Sequence, residues 1–390
     1  MLRFFSPSYI SAGFVSILVG YAGAGAIIFQ AANAAGASPA EISSWLWALG
    51  IGMGVSSAGL TLWYRQPILI AWSTPGAALL VTSLPGLPMS DAIGVFLFSS
   101  LLLTFCGITG LFQKIMDVVP RSLGAALLAA VLLRFGLDAF VALENDFILA
   151  GAMLLIYLLA RQLTPRFVIP LTFLTGILIA YAQGALVGFN PDFSLTTPVF
   201  VMPTVNITAM IGIGIPLFVV TMASQNVPGI AALRTHGYNA PASPLIGWSG
   251  AIGIVLAPFG GFAFNLAAIT AAICMGKDVH PDPTKCYPAT LWASFFYILT
   301  GLFGAALTAL FVAFPAALIM AIAGLALLST IANSLETAMA GESEREAAIL
   351  TFAVTASGVT LLSVGAPFWG LLIGMVAHLM KKYFASRKRA

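Results

Sequence analysis

The chain has 390 residues, of which 60% are hydrophobic and only 7% charged, and its mean hydropathy is +1.02. A soluble globular chain carries about 25% charged residues, so this composition excludes a soluble protein and makes the bilayer the solvent for much of the surface. The net charge of +3 does not point to a nucleic-acid partner, because the basic residues are dispersed as helix flanks.

Arg3 is followed by a long Gly/Ala-rich apolar run without an A-x-A cleavage site, which predicts a retained first membrane helix rather than a signal peptide. A helix needs about 20 residues to cross the hydrocarbon layer. On that measure the chain predicts fourteen spans, near 9–34, 42–63, 67–84, 91–113, 121–137, 147–161, 167–186, 207–226, 244–257, 259–276, 287–312, 315–335, 346–362 and 366–384. Segments 67–84 and 259–276 are too short to cross as straight helices. With an even number of crossings both termini share one side, and fifteen of the sixteen basic residues, all but Arg134, fall on it. The positive-inside rule makes that side cytoplasmic. Arg134 and Asp138 stand four apart and read as an ion pair anchoring a helix end. Cys106, Cys274 and Cys286 form no CxxC pair and have no His at metal-ligand spacing; Cys106, in an apolar run, reads as a small buried hydrophobe. No metal or cofactor is expected.

The second half of the chain echoes the first. Val119–Leu133 lies over Phe314–Leu328 at an offset of 195, and Gln66–Ala78 lies over Ala257–Ile269 at an offset of 191. Asn33 with Gly36 echoes Asn226 with Gly229 at an offset of 193. Seven spans per repeat is an odd number, so the second repeat must run upside down. Inverted repeats with a midplane site between them are the mark of alternating-access transporters. Each short segment holds a Pro, then residues poor for helix (Ile68–Ser73, Phe259–Phe264), then a run of good helix formers. Both read as broken crossings, with half-helices starting near Thr74-Pro75 and near Asn265. Such amino termini would offer unpaired N–H donors and partial positive charge to an anion.

Longer strings carry a family likeness. They are Gly20-Tyr21 with Gln30-Ala31-Ala32, Leu62-Trp63-Tyr64-Arg65 with Ala71-Trp72-Ser73-Thr74-Pro75-Gly76, and Leu133-Arg134-Phe135-Gly136-Leu137. Val220–Asn226 with Pro228-Gly229, Ala267–Cys274 and Thr355-Ala356-Ser357-Gly358 continue the pattern. Over essentially the whole chain the sequence resembles the BenE-type benzoate/proton symporter family, and more distantly its layout is similar to the uracil and purine transporter fold. The resemblance implies an all-α polytopic membrane protein with short extended pieces in spans 3 and 10. It implies a core domain from residues 1–118 and 201–313, and a gate or scaffold domain from residues 119–200 and 314–390. It further implies import of benzoate or a similar small aromatic carboxylate with protons, elevator-type alternating access, a homodimer and an inner (plasma) membrane location. A nucleobase or another organic anion as cargo, and an uncoupled anion channel or uniporter as mode, stay open. No G-x-S-x-G, HExxH or Walker loop is present, so no enzyme is expected.

The departures from the nucleobase relatives are informative. Where those carry substrate- or proton-binding acids in spans 8 and 10, this chain reads Ala223-Ser224-Gln225-Asn226 and Phe262-Ala263-Phe264-Asn265. All thirteen acidic residues are expected in loops or at helix ends. Benzoate only accepts hydrogen bonds, and an acid beside it would repel it. Losing the acids while keeping the helix dipoles fits an anionic aromatic cargo, and leaves the proton-binding group unidentified. Asn265, Gln225 and Asn226 are amides in broken or central segments, where an unpaired polar group is costly, so they are candidates for the site. The competing reading is an interhelical hydrogen bond that fixes packing. Ser73 and Thr74 share a half-helix start, Thr74 suiting a cap equally well. Gln30 and Tyr21 lie along span 1, whose helix faces the site in the resembled fold, and Phe264 is the candidate for stacking on a benzene ring. His236, His280 and His378 fall in loops or near a helix end, away from the midplane.

Overall fold

The computed structural model describes residues 5–111, 120–186, 193–276, 279–362 and 364–387. Of the charges weighed above, Arg3, Lys114, Lys277, Lys388, Arg389, Asp117, Asp192 and Asp278 lie outside the described residues. The protein is helical almost throughout. Helices α1 (Pro7–Ala34) and α2 (Pro39–Tyr64) each carry proline in the first turn, and a Ser38–Glu41 capping box closes the start of α2. Strand β1 (Ile70–Trp72), half-helix α3 (Thr74–Ser83) and α4 (Met89–Thr109) follow, then α5 (Arg121–Asn145), α6 (Phe147–Leu163) and α7 (Val168–Ala182). The second half takes up the same order. It runs through α8 (Ile207–Thr235), α9 (Ala242–Leu256), β2 (Phe264–Leu266), α10 (Ile269–Met275) and α11 (Tyr287–Leu302). Helices α12 (Gly304–Ala313), α13 (Ala316–Met339), α14 (Arg345–Ala356) and α15 (Ala366–Arg387) complete it.

Among the described residues six helices are long and apolar enough to cross a membrane, and up to eight when each of two bent pairs is one span. Several of the fourteen expected segments fall short of that test because they are broken or brief; α14, for example, has only 12 residues. Helix α5 runs on past the expected end at 137, which puts Arg134 and Asp138 inside it, and no ion pair joins them.

Helix α8 contains two π-turns, Met210–Gly214 and Met222–Asn226. Each ends two residues before a proline, Pro216 or Pro228. A proline ring clashes with the carbonyl four residues back, and widening the preceding turn relieves the clash. The second widened turn carries Ser224, Gln225 and Asn226.

Strands β1 and β2 pair antiparallel, with Ile70 opposite Leu266, Ala71 opposite Asn265 and Trp72 opposite Phe264. Non-helical backbone at membrane depth must find its partners inside the protein. Here Ser57 of α2 accepts from the Ile70 N–H at 2.8 Å, and Thr61 donates to the Ile68 carbonyl at 2.9 Å. The Ala267 N–H reaches the Leu69 carbonyl at 2.9 Å, extending the pairing. The expected half-helix start at Asn265 is corrected: Asn265 lies in the middle of β2, and α10 begins at Ile269. After α9 the chain turns through Gly260 (φ +91°) and Ala263 (φ +45°), and this turn displaces the extended piece from Phe259–Phe264 to Phe264–Leu266. A side chain at Gly260 would collide with the Trp45 ring, so the turn needs glycine.

The helices around this crossing pack through glycine. Helix α2 meets α11 at Gly50 and Gly301, and α4 meets α9 at Gly107 and Gly247. A Cβ on Gly54 would lie 2.7 Å from the Ser294 carbonyl oxygen and 3.1 Å from the Ile298 nitrogen; one on Gly250 would lie 2.8 Å from the Ser100 oxygen and 2.5 Å from the Thr104 nitrogen. The two contacts use equivalent atoms in the two halves. Helices α5 and α13 pack lengthwise against each other, Gly324 lying under Phe135 and Ala139.

Candidate functional site

Beside the strand crossing lies a cavity of about 880 Å³. One wall comes from α1, β1, the start of α3, the second π-turn of α8 and the segment 267–273; the other comes from α5, α6, α7 and α13. The cavity reaches the surface where the exposed Arg121, Arg161 and Pro165 line it. Those two arginines are the only charged side chains among the described lining residues, which include no Asp, Glu or His.

The two half-helices present different ends to this space. Ser73 caps α3, its hydroxyl accepting from the Gly76 N–H at 3.0 Å. Helix α10 has no side-chain cap, and Ala267, Ala268, Ile269 and Thr270 at its start all line the cavity. Its first N–H groups are therefore available to a ligand. Ser16 of α1 fixes this segment by donating to the Thr270 carbonyl at 2.9 Å. Trp72 forms an aromatic wall, only 5% exposed, with the Tyr21 ring edge-on to it at 4.7 Å. Tyr21 is in turn held by the Thr300 hydroxyl at 2.9 Å.

The expected site residues divide sharply. Thr74 and Gln225 line the cavity, and the Gln225 side chain has no hydrogen-bond partner among the described residues. Ser73 is buried and occupied as a cap, and Tyr21 backs Trp72 without lining the cavity. Asn226 is fully buried; its Oδ1 accepts from the Leu266 N–H at 3.0 Å, clamping β2 to α8. Asn265 is fully buried as well. Its Nδ2 donates to the Ala263 carbonyl at 2.9 Å, bracing the left-handed residue that leads into β2, while its Oδ1 has no partner among the described residues. Phe264 is 1% exposed and faces Gly52 and Gly253, outside the cavity lining. Gln30 is half-buried in α1, likewise outside it.

Sequence reasoning missed Trp72, Arg121, Arg161 and a polar face on α13. That face comprises Ser329, Thr330, Asn333, Ser334 and Thr337, all lining the cavity. Its three- and four-residue spacing was a visible signal in an otherwise apolar helix. The arginines were hidden because their positions also suit a topological flank.

The BenE family model, described as "Benzoate membrane transport protein", matches residues 3–380. The chain belongs to this family of membrane transporters. It is 49% identical over 390 residues to "Inner membrane protein YdcO" of Escherichia coli, covering 100% of both chains. It is 36% identical over 375 residues to the "Benzoate membrane transport protein" of Acinetobacter baylyi, covering 96% of this chain and 95% of that one. Among solved structures, the transmembrane domain of the cyanobacterial bicarbonate transporter BicA superposes with a TM-score of 0.61 at 11% identity, covering 95% of this chain and 96% of that one. SLC26A9 gives 0.59 at 12% identity, covering 95% of this chain and 65% of that one. At such identities the likeness is one of fold.

Proposed function

We propose that this BenE-family transporter imports benzoate or a similar small aromatic carboxylate together with protons, across the inner membrane, by elevator-type alternating access. The carrying observation is the cavity's charge: two arginines, uncapped N–H groups at the start of α10, and no described acid or imidazole. A carboxylate is an acceptor-only anion, and such a lining offers it donors without repulsion. Trp72 supplies a flat apolar face for the ring, and Gln225 and Thr74 supply orienting polar groups. A nucleobase, which also presents N–H donors, would lack a carboxylate to accept them.

The architecture we propose for this transport is two inverted repeats of seven segments each, fourteen in all. The equivalent glycine contacts of Gly54 and Gly250, and the antiparallel pairing of β1 with β2, support it. The moving core would comprise residues 1–118 and 201–313, and the gate residues 119–200 and 314–390, within a homodimer whose termini are cytoplasmic.

The coupled proton needs no protein carboxylate at the site, since the cargo's own carboxyl group can carry it. One benzoate with one proton moves no net charge. Uptake of labelled benzoate into proteoliposomes driven by a pH gradient should therefore be nearly independent of membrane potential. Potential-driven uptake at zero pH gradient would rule out one-to-one coupling, and absence of uptake under any gradient would rule out the cargo.

A further inference from the structure

We propose that Arg121 and Arg161 form a second, peripheral carboxylate-binding station at the mouth of the cavity, on the wall built by α5, α6 and α13, distinct from the strand crossing. This rests on the reading of the cargo as an anion. Arg161 is held in place rather than free: its Nη1 donates to the Tyr157 hydroxyl at 2.7 Å, and its guanidinium carbon lies 5.9 Å from the centre of that ring. Tyr157 itself is 3% exposed, a firm support. A guanidinium has five N–H donors in a planar fork, so this bond leaves enough for bidentate capture of a carboxylate. An arginine serving only as a topological flank extends toward lipid headgroups. Arg161 instead lies back over its own helix and lines the cavity with Arg121.

The charges around the pair are consistent with an anion. Neither arginine forms an ion pair among the described residues, where such pairs are Lys285–Asp282 and Arg345–Glu342. Glu344, which reaches α5, does not line the cavity and accepts from the Ser122 hydroxyl at 2.6 Å. Along one face of α13, Asn333, Ser334, Thr330 and Ser329 present an amide and hydroxyls to the cavity, while the neighbouring Thr337 hydroxyl donates to the Asn333 carbonyl at 2.8 Å. In an apolar helix such a row is costly unless something polar passes it. An anion released by the arginines would find hydrogen-bonding groups on its way to the crossing.

The test places a reporter on this path, Asn333→Cys, in the full-length protein. Cys106, Cys274 and Cys286 are at most 2% exposed, so labelling reports the new thiol. Its modification by an anionic sulfonatoethyl thiosulfonate is compared with that by a cationic trimethylammonium analogue. Arg121→Gln with Arg161→Gln should lower the anion-to-cation rate ratio about tenfold, and Lys at both positions should retain it in an equally monodisperse protein. An unchanged ratio would overturn the station. So would a fall in the Lys variant as large as in the Gln variant, since lost structure and not lost charge would then be responsible. Benzoate should slow anionic labelling when the arginines are present. A ratio that falls while benzoate gives no protection would uphold the station and overturn benzoate as the cargo.

Discussion

Gln225 and Asn226 are adjacent amides that look interchangeable in sequence, yet their side chains take opposite duties. Gln225 opens to the cavity with no hydrogen-bond partner among the described residues, whereas Asn226 is sealed inside and clamps the Leu266 N–H. Asn226→Ala should leave that buried donor unsatisfied and cost about 1–3 kcal/mol of stability, read as a lower unfolding temperature in detergent. Gln225→Ala should leave the unfolding temperature in place and weaken benzoate binding about fivefold, the worth of one hydrogen bond. The reverse pattern would exchange their roles. At this scale chemistry was legible in the sequence but side-chain direction was not. Residue type marks an amide as costly in a membrane, while the widened π-turn decides which of two neighbours faces the ligand. The burial of Asn265 and Phe264 within β2 was not legible for a related reason: alternation along β2 depends on a register set by the turn at Gly260 and Ala263.

The π-turn itself is testable at the level of the element. It exists because Pro228 cannot sit over a regular turn. Pro228→Ala permits the turn to close to α-helical geometry. Removing the extra residue of a π-turn rotates side chains on one side of it by about 100° relative to the other. Helix content by circular dichroism should stay constant while benzoate affinity falls at least tenfold, the effect of turning Ser224 and Gln225 off the cavity. Wild-type affinity in the variant would show that the widened turn is not what aims these residues. The half-helix α3 was readable from Thr74-Pro75, because proline in a first turn is a strong local signal. Helix α10 lacks both a proline and a capping side chain, so nothing local marked its start at Ile269.

For the whole molecule the decisive surface is the one between the two cavity walls. Gly124 of α5 approaches α8 so closely that a Cβ would lie 3.1 Å from the Cβ of Ala223. If the walls move past one another during transport, this contact must be made and broken. Gly124→Leu should wedge the walls while leaving the donors at α10 untouched, so benzoate binding should persist and uptake should fall more than tenfold. Normal uptake in a well-folded variant would mean that the two walls do not slide at this point. Part of the likeness between the two halves that supports the proposed repeat was visible in the sequence, as echoes at offsets near 193. Most of it was not, because contacts such as Gly54 on Ser294 and Gly250 on Ser100 match in geometry and not in residue type.

The pairing of β1 with β2 has a consequence for how the chain is made. Ile70 and Leu266 meet only after the ribosome has passed the midpoint of the message. Until then one edge of β1 is served by Ser57 at Ile70, with Thr61 holding the Ile68 carbonyl just before the strand, and the other edge is bare. A bare strand edge cannot rest in lipid, where each orphaned backbone group costs several kcal/mol. The newborn first half must therefore wait in a protected setting, at the insertion machinery or shielded by its own helices, for a partner strand still being translated. Any mutation that delays synthesis of the second half prolongs that exposure, and would lower yield without altering a single contact in the finished transporter.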